Sequence, residues 1–408
     1  MTTQLESGAL CRTCGMPLAY DAFMMGKSGA SGGGAGGGGL CSFCANPNKN
    51  DITPPTSGDV ERMLNILIGV YQSKRSPWRL LAQCLLAMKP IVPSAVLAPM
   101  KVIDSVPRKR ADSKYDAVVL YSGGKDSSYM LLDLAKRNLR LCAWMLQQGY
   151  QSPHAVSNAR RLCDKIGVPL HIETPGKELM DRVFRTGFDV DKHEQDGDVL
   201  KAAMTYGSAC GACFTTISSY AAKFCIENDP AFCFIGTQEG QNRMDLSGKP
   251  ILATESLPTV DIMLNRAFFA LRKRIDEKVP NALPDIKPGA CRTVLVPFYE
   301  FVRKPPLNEQ IAALTKAGWE MPNNTGTCST NCMVNELGRK VMRNRFGFDL
   351  YQIMDANEKR LKICRGEGVA EAHDDDHIDS EQVLRAAKIM GLSDEERARY
   401  GVGASEPT

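Results

Sequence analysis

The feature that most constrains this chain is a six-residue run, Ser-Gly-Gly-Lys-Asp-Ser, at positions 122–127. An apolar segment predicted to be a buried strand, residues 116–121, precedes the run, and a predicted helix, residues 127–137, follows it. A strand that turns directly into a helix through two glycines places backbone N–H groups and a helix amino terminus around one point. The run therefore predicts a phosphate-binding loop inside an α/β domain.

Short apolar segments alternate with amphipathic helical segments along the chain after this loop. The predicted strands are residues 139–145, 169–173, 231–236 and 294–301, and the predicted helices are residues 155–166, 213–227 and 307–317. This order is typical of an α/β fold with a doubly wound parallel sheet, because each parallel crossover needs a helix. Ligands are then expected at the carboxyl ends of the strands.

Each residue type in the loop suits a role in binding phosphate. The candidate nucleotide-binding residues here are Ser122, Gly123, Gly124, Lys125, Asp126 and Ser127. The glycines permit a tight turn and a close approach of a phosphate, the serines offer hydroxyl donors, and the lysine supplies positive charge. The aspartate is suited to hold Mg²⁺ or to orient a substrate. The spacing differs from the Walker A motif, so γ-phosphate transfer is not implied. An ordinary strand-to-helix turn is the alternative.

Two Cys-x-x-Cys pairs lie near the amino terminus, with a glycine-rich insert at residues 29–39 between them. The four residues are Cys11, Cys14, Cys41 and Cys44. Four thiolates without a histidine or an open position predict a structural zinc site, and the insert is expected to be a flexible loop. A redox pair and reduced bystander thiols are the alternatives.

A second set of cysteines lies within and after the α/β region. Cys210 and Cys213 are predicted at the start of a helix, and Cys328 and Cys332 follow the later predicted strand and helix. A helix amino terminus lowers the pKa of a thiol, which favours thiolates that ligate a metal or carry sulfur. Buried structural cysteines, a four-thiolate zinc site and an iron–sulfur cluster remain open as interpretations.

Length and composition predict several globular regions. The chain has 408 residues, of which 43% are apolar and 24% are charged, as in ordinary globular proteins. We divide it into an amino-terminal zinc ribbon with a glycine-rich loop (1–50), a helical linker region (51–114), an α/β domain (115–305) and a mostly helical carboxy-terminal region (306–408). Within the linker region, helices are predicted at residues 59–74 and 77–88, and residues 90–114 are interpreted as a connector.

The amino terminus lacks the basic start and apolar core of a secretory signal, so we expect a cytoplasmic protein. The most apolar stretch, residues 80–100, is interrupted by a lysine and three prolines, which argues against a membrane span and predicts a buried helix followed by a loop. The net charge of +4 does not favour an RNA partner, because the densest basic cluster, residues 108–110, falls in the predicted linker.

The loop resembles the PP-loop of the N-type ATP pyrophosphatases, a superfamily that includes GMP synthetase, tRNA thiolation enzymes and sugar amidotransferases. The resemblance implies a PP-loop, HUP-like fold, with ATP and Mg²⁺ as cofactors. It also implies a reaction in which a carbonyl-type oxygen is adenylated, pyrophosphate leaves, and a nucleophile displaces AMP. Lys125 and Asp126 would be catalytic. Gly236 and Thr237, at the end of a later strand, look like the second nucleotide-contacting segment of this fold, with a simple turn as the alternative.

Two further resemblances concern the cysteines. The segment from Cys11 to Pro17, together with residues 39–44, is similar to the amino-terminal ribbon of N-acetyl sugar amidotransferase-like proteins. The order of a PP-loop, Cys-x-x-Cys and a later cysteine resembles tRNA thiolation enzymes, which hold a catalytic [4Fe-4S] cluster. That resemblance implies Cys210, Cys213 and Cys328 as ligands, with Cys332 as the competing third ligand. Residues 327–332 depart from the thiolase pattern, so the third ligand stays open.

Two reactions follow from these resemblances. The first is thiolation, in which sulfur from the cluster site replaces AMP on a nucleobase, nucleotide or related small molecule, with a sulfur donor as partner. The second is amidation, in which ammonia from a separate glutaminase converts a sugar N-acetyl group to an acetamidino group. A non-enzymatic nucleotide-binding module is the third interpretation. The sequence leaves both a monomer and a homodimer open.

Overall fold

We analysed a computed structural model of the protein. The residues that the structure describes are 9–26, 39–46, 57–109, 112–237, 241, 257–261, 266–287, 289–323, 325, 329, 331–368 and 377–403. Most of the predicted glycine-rich loop and the candidate ligand Cys328 lie outside the described residues.

Parallel strands form the centre of the fold. The strands are β1 (Ala117–Leu120), β2 (Leu141–Leu146), β3 (Leu170–Glu173), β4 (Phe232–Ile235) and β5 (Val294–Pro297). Within the described residues they make one five-stranded sheet in the order β3-β2-β1-β4-β5, with every neighbouring pair parallel. All residues of β1, β2 and β4 are buried, as continuous apolar runs in a parallel sheet require.

Helices surround the sheet and build most of the rest of the described structure. They are α1 (Leu18–Met24), α2 (Ser42–Ala45), α3 (Ser57–Gln72), α4 (Pro77–Ala87), α5 (Ser94–Asp104), α6 (Lys125–Leu134), α7 (Pro153–Ile166), α8 (Lys177–Phe188), α9 (Gly197–Tyr206), α10 (Ser208–Asn228), α11 (Arg266–Lys278), α12 (Phe298–Phe301), α13 (Leu307–Lys316), α14 (Asn335–Phe346), α15 (Leu350–Cys364), α16 (Ser380–Met390) and α17 (Asp394–Tyr400).

Both faces of the sheet are covered. On one face Val119 shares a buried core with Leu131 of α6 and Leu162 of α7, and on the other face Val118 shares a core with Ala222 of α10. Successive residues of a strand point to opposite faces, so one strand contributes to both cores. The chain moves outward from β1 to β3 and then returns to place β4 on the other side of β1. The predicted doubly wound parallel α/β fold is confirmed.

A third core joins the two ends of the chain. It combines the four amino-terminal cysteines with buried residues of α8, α9 and the helices α14 to α16. The ring of Tyr20 in α1 meets the ring of Phe348, just before α15, edge to face with centroids 5.9 Å apart. The amino-terminal cysteine region is therefore packed against the helical carboxy-terminal region.

Asp116 fixes α3 to the start of β1. Its carboxylate accepts hydrogen bonds from the Tyr71 hydroxyl at 2.7 Å and from the Arg140 backbone N–H at 2.9 Å, and it pairs with the Arg140 guanidinium at 2.8 Å. Burial would raise the pKa of Asp116, but these partners outweigh it and lower the pKa to about 2. The carboxylate thus stays charged while linking a helix to two strands.

Some predictions about the secondary structure are wrong. The connector predicted over residues 90–114 contains the helix α5, which tolerates Pro99 in its interior. The stretch 80–100 is not a buried helix and loop, because Leu80 is 60% exposed and Ile91 is 75% exposed. Residues 294–301 form a strand only to Pro297 and then the short helix α12. No helix in the described part of the chain is long and apolar enough to cross a bilayer.

Candidate active site

Close packing against helix α7 fixes the path of the glycine-rich loop. Gly123 has a φ of +73°, a left-handed conformation that favours glycine. A Cβ atom built on Gly123 would lie 2.0 Å from the carbonyl oxygen of Ala155 in α7. Gly124 is the N-cap of α6, so the loop leads directly to the exposed N–H groups of a helix amino terminus.

Two serine hydroxyls form hydrogen bonds within the same loop. The Oγ atoms of Ser122 and Ser127 are 2.9 Å apart, and the Ser122 backbone N–H donates to the Ser127 Oγ at 3.2 Å. The Ser127 hydroxyl also donates to the Gly124 carbonyl at 3.3 Å. These short contacts hold the two ends of the loop together around the turn, which preorganises its donors for an anion.

Asp126 is shared between two lysines. Its carboxylate lies 3.2 Å from the Lys125 Nζ and 2.9 Å from the Lys304 Nζ, and it accepts a hydrogen bond from the Gln310 amide at 3.0 Å. Burial would raise the pKa of Asp126, but the charges of Lys304 and Lys125 outweigh it and hold the pKa below its ordinary value. One carboxylate against two ammonium groups leaves a net positive charge beside the loop.

Residues 299–319, which follow β5, form hydrogen bonds and ion pairs with the loop, and sequence reasoning missed them. The Tyr299 hydroxyl donates to the Asp126 carbonyl at 2.7 Å, and the Trp319 indole N–H donates to the Gly123 carbonyl at 2.9 Å. Together with Lys304 and Gln310, these residues come from α12, α13 and the turns that flank α13. They form no recognisable motif in the sequence, since their only common property is a contact with the loop.

One cavity joins the loop to the inner cysteines. It has a volume of about 350 Å³ and lies at the carboxyl ends of β1, β2 and β4, where Leu120, Leu146 and Ile235 reach it. Its lining includes five of the six predicted loop residues, all except Gly123, and both predicted residues of the second segment, Gly236 and Thr237. Cys210, Cys213 and Cys332 line it as well. Spatial proximity thus links two groups of residues that were predicted separately.

Two cavity-facing polar atoms have no partner in the described structure. The Trp144 indole N–H and the Thr237 hydroxyl are buried and make no hydrogen bond to any described residue. Buried donors without partners are costly, so such atoms usually face a ligand or water. Trp144 belongs to β2 and Thr237 follows β4, the two strands that flank β1 and its loop.

The three cavity cysteines come from two elements. Cys210 and Cys213 lie in the first turns of α10, and Cys332 lies in the segment that leads into α14. Burial raises the pKa of Cys210 to about 12 and that of Cys332 to about 11. For Cys210 this direction is opposite to the lowering predicted from the helix terminus, because desolvation dominates in the interior. A bound metal would supply the positive charge that stabilises the thiolates.

The spacing of these sulfurs differs from that of the amino-terminal set. Among the described residues, only Cys11, Cys14, Cys41 and Cys44 form a group of three or more potential ligands whose binding atoms all lie within 4.8 Å of one another. The three cavity cysteines are less tightly gathered. Among the described residues, the cavity cysteines therefore do not form a preassembled site for a single ion of the kind that the amino-terminal cysteines form.

The amino-terminal cysteines form a closed, buried metal-binding site. Cys41 is the N-cap of α2, and its sulfur accepts hydrogen bonds from the Cys44 backbone N–H at 3.4 Å and from the Arg360 guanidinium at 3.1 Å. The neighbouring Cys14 and Cys44 thiols, together with the Arg360 charge, lower the pKa of Cys41. Arg360 also pairs with Asp21 at 3.3 Å, which in turn accepts the Ser42 backbone N–H at 2.8 Å.

Helix α15 reaches both sites. Arg360, near its carboxyl end, contacts the amino-terminal cysteines, while Tyr351 and Met354, near its start, line the cavity. The Tyr351 hydroxyl donates to the Asn335 side chain at 3.0 Å, and the Arg339 guanidinium lies 5.4 Å from the centre of the Tyr351 ring. A network of buried charges therefore holds the cavity end of the helix in place.

Fold and cavity together define a parallel α/β protein in which a glycine-rich strand-to-helix loop faces a group of cysteines at the carboxyl edge of the sheet. No family model and no curated protein sequence matches the chain.

The solved structures that are similar to it include the following two. One is NMN synthetase from Francisella tularensis, at 14% identity over 70% of this chain and 87% of that chain, with a TM-score of 0.27. The other is the U34-tRNA thiolase NcsA from Methanococcus maripaludis with its [4Fe-4S] cluster, at 15% identity over 97% of this chain and 100% of that chain, with a TM-score of 0.31. Scores this low do not carry a function from either protein to this chain.

Proposed function

We propose that this protein is an ATP-dependent adenylating sulfurtransferase. Its substrate carries a carbonyl-type oxygen on a nucleobase, a nucleotide or a related small molecule. The observation that supports the proposal is the shared cavity, in which the glycine-rich loop and Cys210, Cys213 and Cys332 face the same space. An adenylated intermediate reacts readily with water, so both half-reactions benefit from one enclosed site.

The loop serves the first half-reaction. The substrate oxygen attacks the α-phosphorus of ATP, a phosphorus–oxygen bond forms, and the bond to the pyrophosphate oxygen breaks. Negative charge develops on the departing pyrophosphate, where the loop N–H groups, the Ser122 and Ser127 hydroxyls and the Lys125 ammonium would stabilise it. Mg²⁺ would neutralise phosphate oxygens when bound, and Asp126 is the carboxylate in the cavity suited to hold it.

The cysteines serve the second half-reaction, in which a carbon–sulfur bond forms and the carbon–oxygen bond to AMP breaks. Cys210, Cys213 and Cys332 line one cavity and have the soft sulfur chemistry that an iron–sulfur cluster requires of its ligands. We propose Cys332 as the third ligand because it lines the cavity together with Cys210 and Cys213. When bound, the cluster would supply the sulfur that displaces AMP.

The chemistry of the cavity suggests what the acceptor is like. Among the described residues that line the cavity, Lys125 is the one cation and Asp126 the one carboxylate, and both lie at the loop end. The cysteine end therefore suits an uncharged group, such as the carbonyl of a nucleobase. A phosphate of a nucleotide acceptor would have to lie towards the loop or outside the cavity.

The amino-terminal site would hold zinc in a structural role. Four buried thiolates gathered within 4.8 Å leave no open coordination position, which is typical of structural zinc sites. Its contacts with α15 then make the metal part of the scaffold that supports the cavity wall.

Amidation is the competing proposal. The amino-terminal segment from Cys11 to Pro17 is similar to that of N-acetyl sugar amidotransferase-like proteins. In that reaction ammonia from a partner glutaminase would replace AMP, and the cavity cysteines would be structural or would hold zinc. The two proposals share the first half-reaction and differ only in the nucleophile.

Anaerobically purified and iron-reconstituted protein tests the proposal. We expect a brown protein with iron–sulfur absorption that Cys213→Ala removes, while pyrophosphate release with a true acceptor survives in that variant. Lys125→Ala and Asp126→Ala should abolish pyrophosphate release but leave the absorption intact. Lys136→Ala, an exposed lysine just beyond the end of α6, is the matched control and should behave as wild type.

The two nucleophiles give opposite results in the same preparation. Colourless protein with two zinc ions per chain and ammonia-dependent turnover would refute sulfur transfer and support amidation. Undiminished pyrophosphate release in both Lys125→Ala and Asp126→Ala would show that the loop does not bind ATP. Candidate acceptors are screened by substrate-dependent pyrophosphate release, which measures the first half-reaction whichever nucleophile acts in the second.

A further inference from the structure

One amide lies between two of the cavity cysteines. The Cys213 thiol donates to the Gln148 Oε1 at 2.7 Å, and the Gln148 Nε2 donates to the Cys332 sulfur at 3.7 Å. Gln148 is buried and lies two residues after the end of β2, whereas the cysteines belong to α10 and to the segment before α14. A single side chain thus connects two sulfurs that come from distant parts of the chain.

The backbone around Gln148 is held on several sides. Its N–H donates to the Gln151 Oε1 at 2.9 Å. Gln151 and Cys332 form an antiparallel bridge, and the Ser152 N–H donates to the Asn331 carbonyl at 2.9 Å. The segment after β2 is therefore joined to the segment that carries Cys332, and the position of the amide relative to both is fixed.

We infer that Gln148 is a positioning residue for the cavity cysteines, a role that rests on the proposed function of this site. Its amide keeps the sulfurs of Cys213 and Cys332 directed towards one point, where a metal ion or cluster can bind both. Turning the amide by 180° exchanges the donor and acceptor ends but preserves a contact to each sulfur. When both cysteines bind a metal as thiolates, Cys213 has no proton left to donate to Oε1, and the two Nε2 hydrogens are the donors of this amide that can contact the sulfurs.

Cys210 provides an internal reference. It lines the same cavity and lies one helical turn before Cys213, yet within the described structure it makes no hydrogen bond to Gln148. A general loosening of the cavity would affect all three cysteines. Loss of the amide alone should affect Cys213 and Cys332 and leave Cys210 nearly unchanged.

Cobalt binding measures this role without any enzymatic activity. Once the amino-terminal site is filled with one equivalent of Zn²⁺, Co²⁺ is titrated and thiolate-to-cobalt absorption is followed. Gln148→Met, which keeps the length and removes the amide, should weaken Co²⁺ binding about 10- to 100-fold, as loss of an outer hydrogen-bond partner does in metal sites. The control is Gln147→Met, at the neighbouring glutamine, whose backbone N–H bonds to the Glu173 carbonyl; its affinity should stay within about twofold of wild type.

Alkylation of the metal-free protein supplies a second readout. Site-resolved mass spectrometry should show faster modification of Cys213 and Cys332 relative to Cys210 in Gln148→Met. Gln148→Asn retains an amide that is too short to reach both sulfurs, and it replaces the methionine variant if that one does not fold. Unchanged Co²⁺ affinity together with unchanged alkylation ratios overturns the inference.

The outcomes separate the inference from the proposed function. If Gln148→Met loses Co²⁺ affinity but the wild-type protein forms no iron–sulfur cluster, the amide positions the cysteines for a different metal and sulfur transfer fails. If the cluster forms and the Gln148 variants bind Co²⁺ like wild type, sulfur transfer stands and the role of Gln148 is wrong.

Discussion

Replacing Gly123 with alanine is expected to inactivate the loop while leaving most of the fold intact. Gly123 combines a φ of +73° with close contact to the backbone of α7. An alanine there meets two independent penalties. The left-handed conformation costs a non-glycine residue about 1–2 kcal/mol. The new Cβ would also lie 2.0 Å from the Ala155 carbonyl oxygen, and a contact below 3.0 Å is essentially never found.

The size of the functional effect follows from that contact. The loop and the amino terminus of α7 must separate by about 1.0 Å to relieve it, because 2.0 Å has to become at least 3.0 Å. A change of side-chain rotamer cannot relieve this contact, because the atom that the new Cβ would meet belongs to the backbone of Ala155. A displacement of 1 Å at a catalytic group can reduce the rate about 100-fold, so we expect a loss of that order in substrate-dependent pyrophosphate release.

Pyrophosphate release is measured alongside thermal unfolding in Gly123→Ala and in the control Gly197→Ala. Gly197 begins α9, has no heavy atom within 4 Å of a built Cβ, and tolerates a side chain. The control should keep wild-type activity and equal or slightly higher stability. Near wild-type pyrophosphate release in Gly123→Ala would refute the assignment of this loop as the phosphate site, whatever its effect on stability.

Three further changes test other parts of the structure. Lys304→Ala removes one of the two ammonium groups beside Asp126, so it should raise the KM for ATP about tenfold, whereas Lys316→Ala in α13 should not. An unchanged KM would show that the Lys304 charge is dispensable for ATP binding. Arg360→Met should speed chelator-driven metal loss from the amino-terminal site about 10- to 100-fold. Arg365→Met, at an exposed arginine, should not change that rate. Equal rates of metal loss in Arg360→Met and wild type would show that the Arg360 guanidinium is dispensable. Asp116 has its pKa lowered from 3.8 to about 2, so its charged form stabilises the fold by about 2 kcal/mol above pH 4, and this contribution is lost as the pH falls towards 2. In acid unfolding series, Asp116→Asn should therefore lose less stability than wild type over that range, and parallel curves would contradict the assignment.

The sequence was most informative where local pattern and tertiary structure agree. The strands β1, β2 and β4 were predicted to within about two residues because each is an apolar run followed by residues that turn the chain. The loop could be found because its glycines, lysine and serines act next to one another in the sequence. The order of strands and helices then sufficed to predict a doubly wound sheet.

Long-range contacts were beyond sequence reasoning. Gln310 meets Asp126 across 184 positions, and Gln148 meets Cys332 across 184 positions, with nothing in the spacing to indicate either pair. Helix α5 was missed because Pro93 and Pro99 suggested a break, whereas Pro93 precedes the helix and Pro99 is accommodated inside it. The pKa values of Cys210 and Cys213 were expected to fall because a helix terminus is visible in a sequence, while burial, which raises them, is not.

Helix α15 connects the two cysteine sites physically. Arg360 lies nine positions after Tyr351, which corresponds to about 14 Å along a helix. If occupancy of the cavity shifts this helix, it changes how firmly Arg360 holds the amino-terminal sulfurs. Thermodynamic linkage is reciprocal. Metal bound at the amino-terminal site must then change the affinity for the cavity ligand by the same factor by which that ligand changes the affinity for the metal. In that case, preparations that differ in metal content at the amino-terminal site would differ in their affinity for the ligand of the cavity, at the other end of the helix.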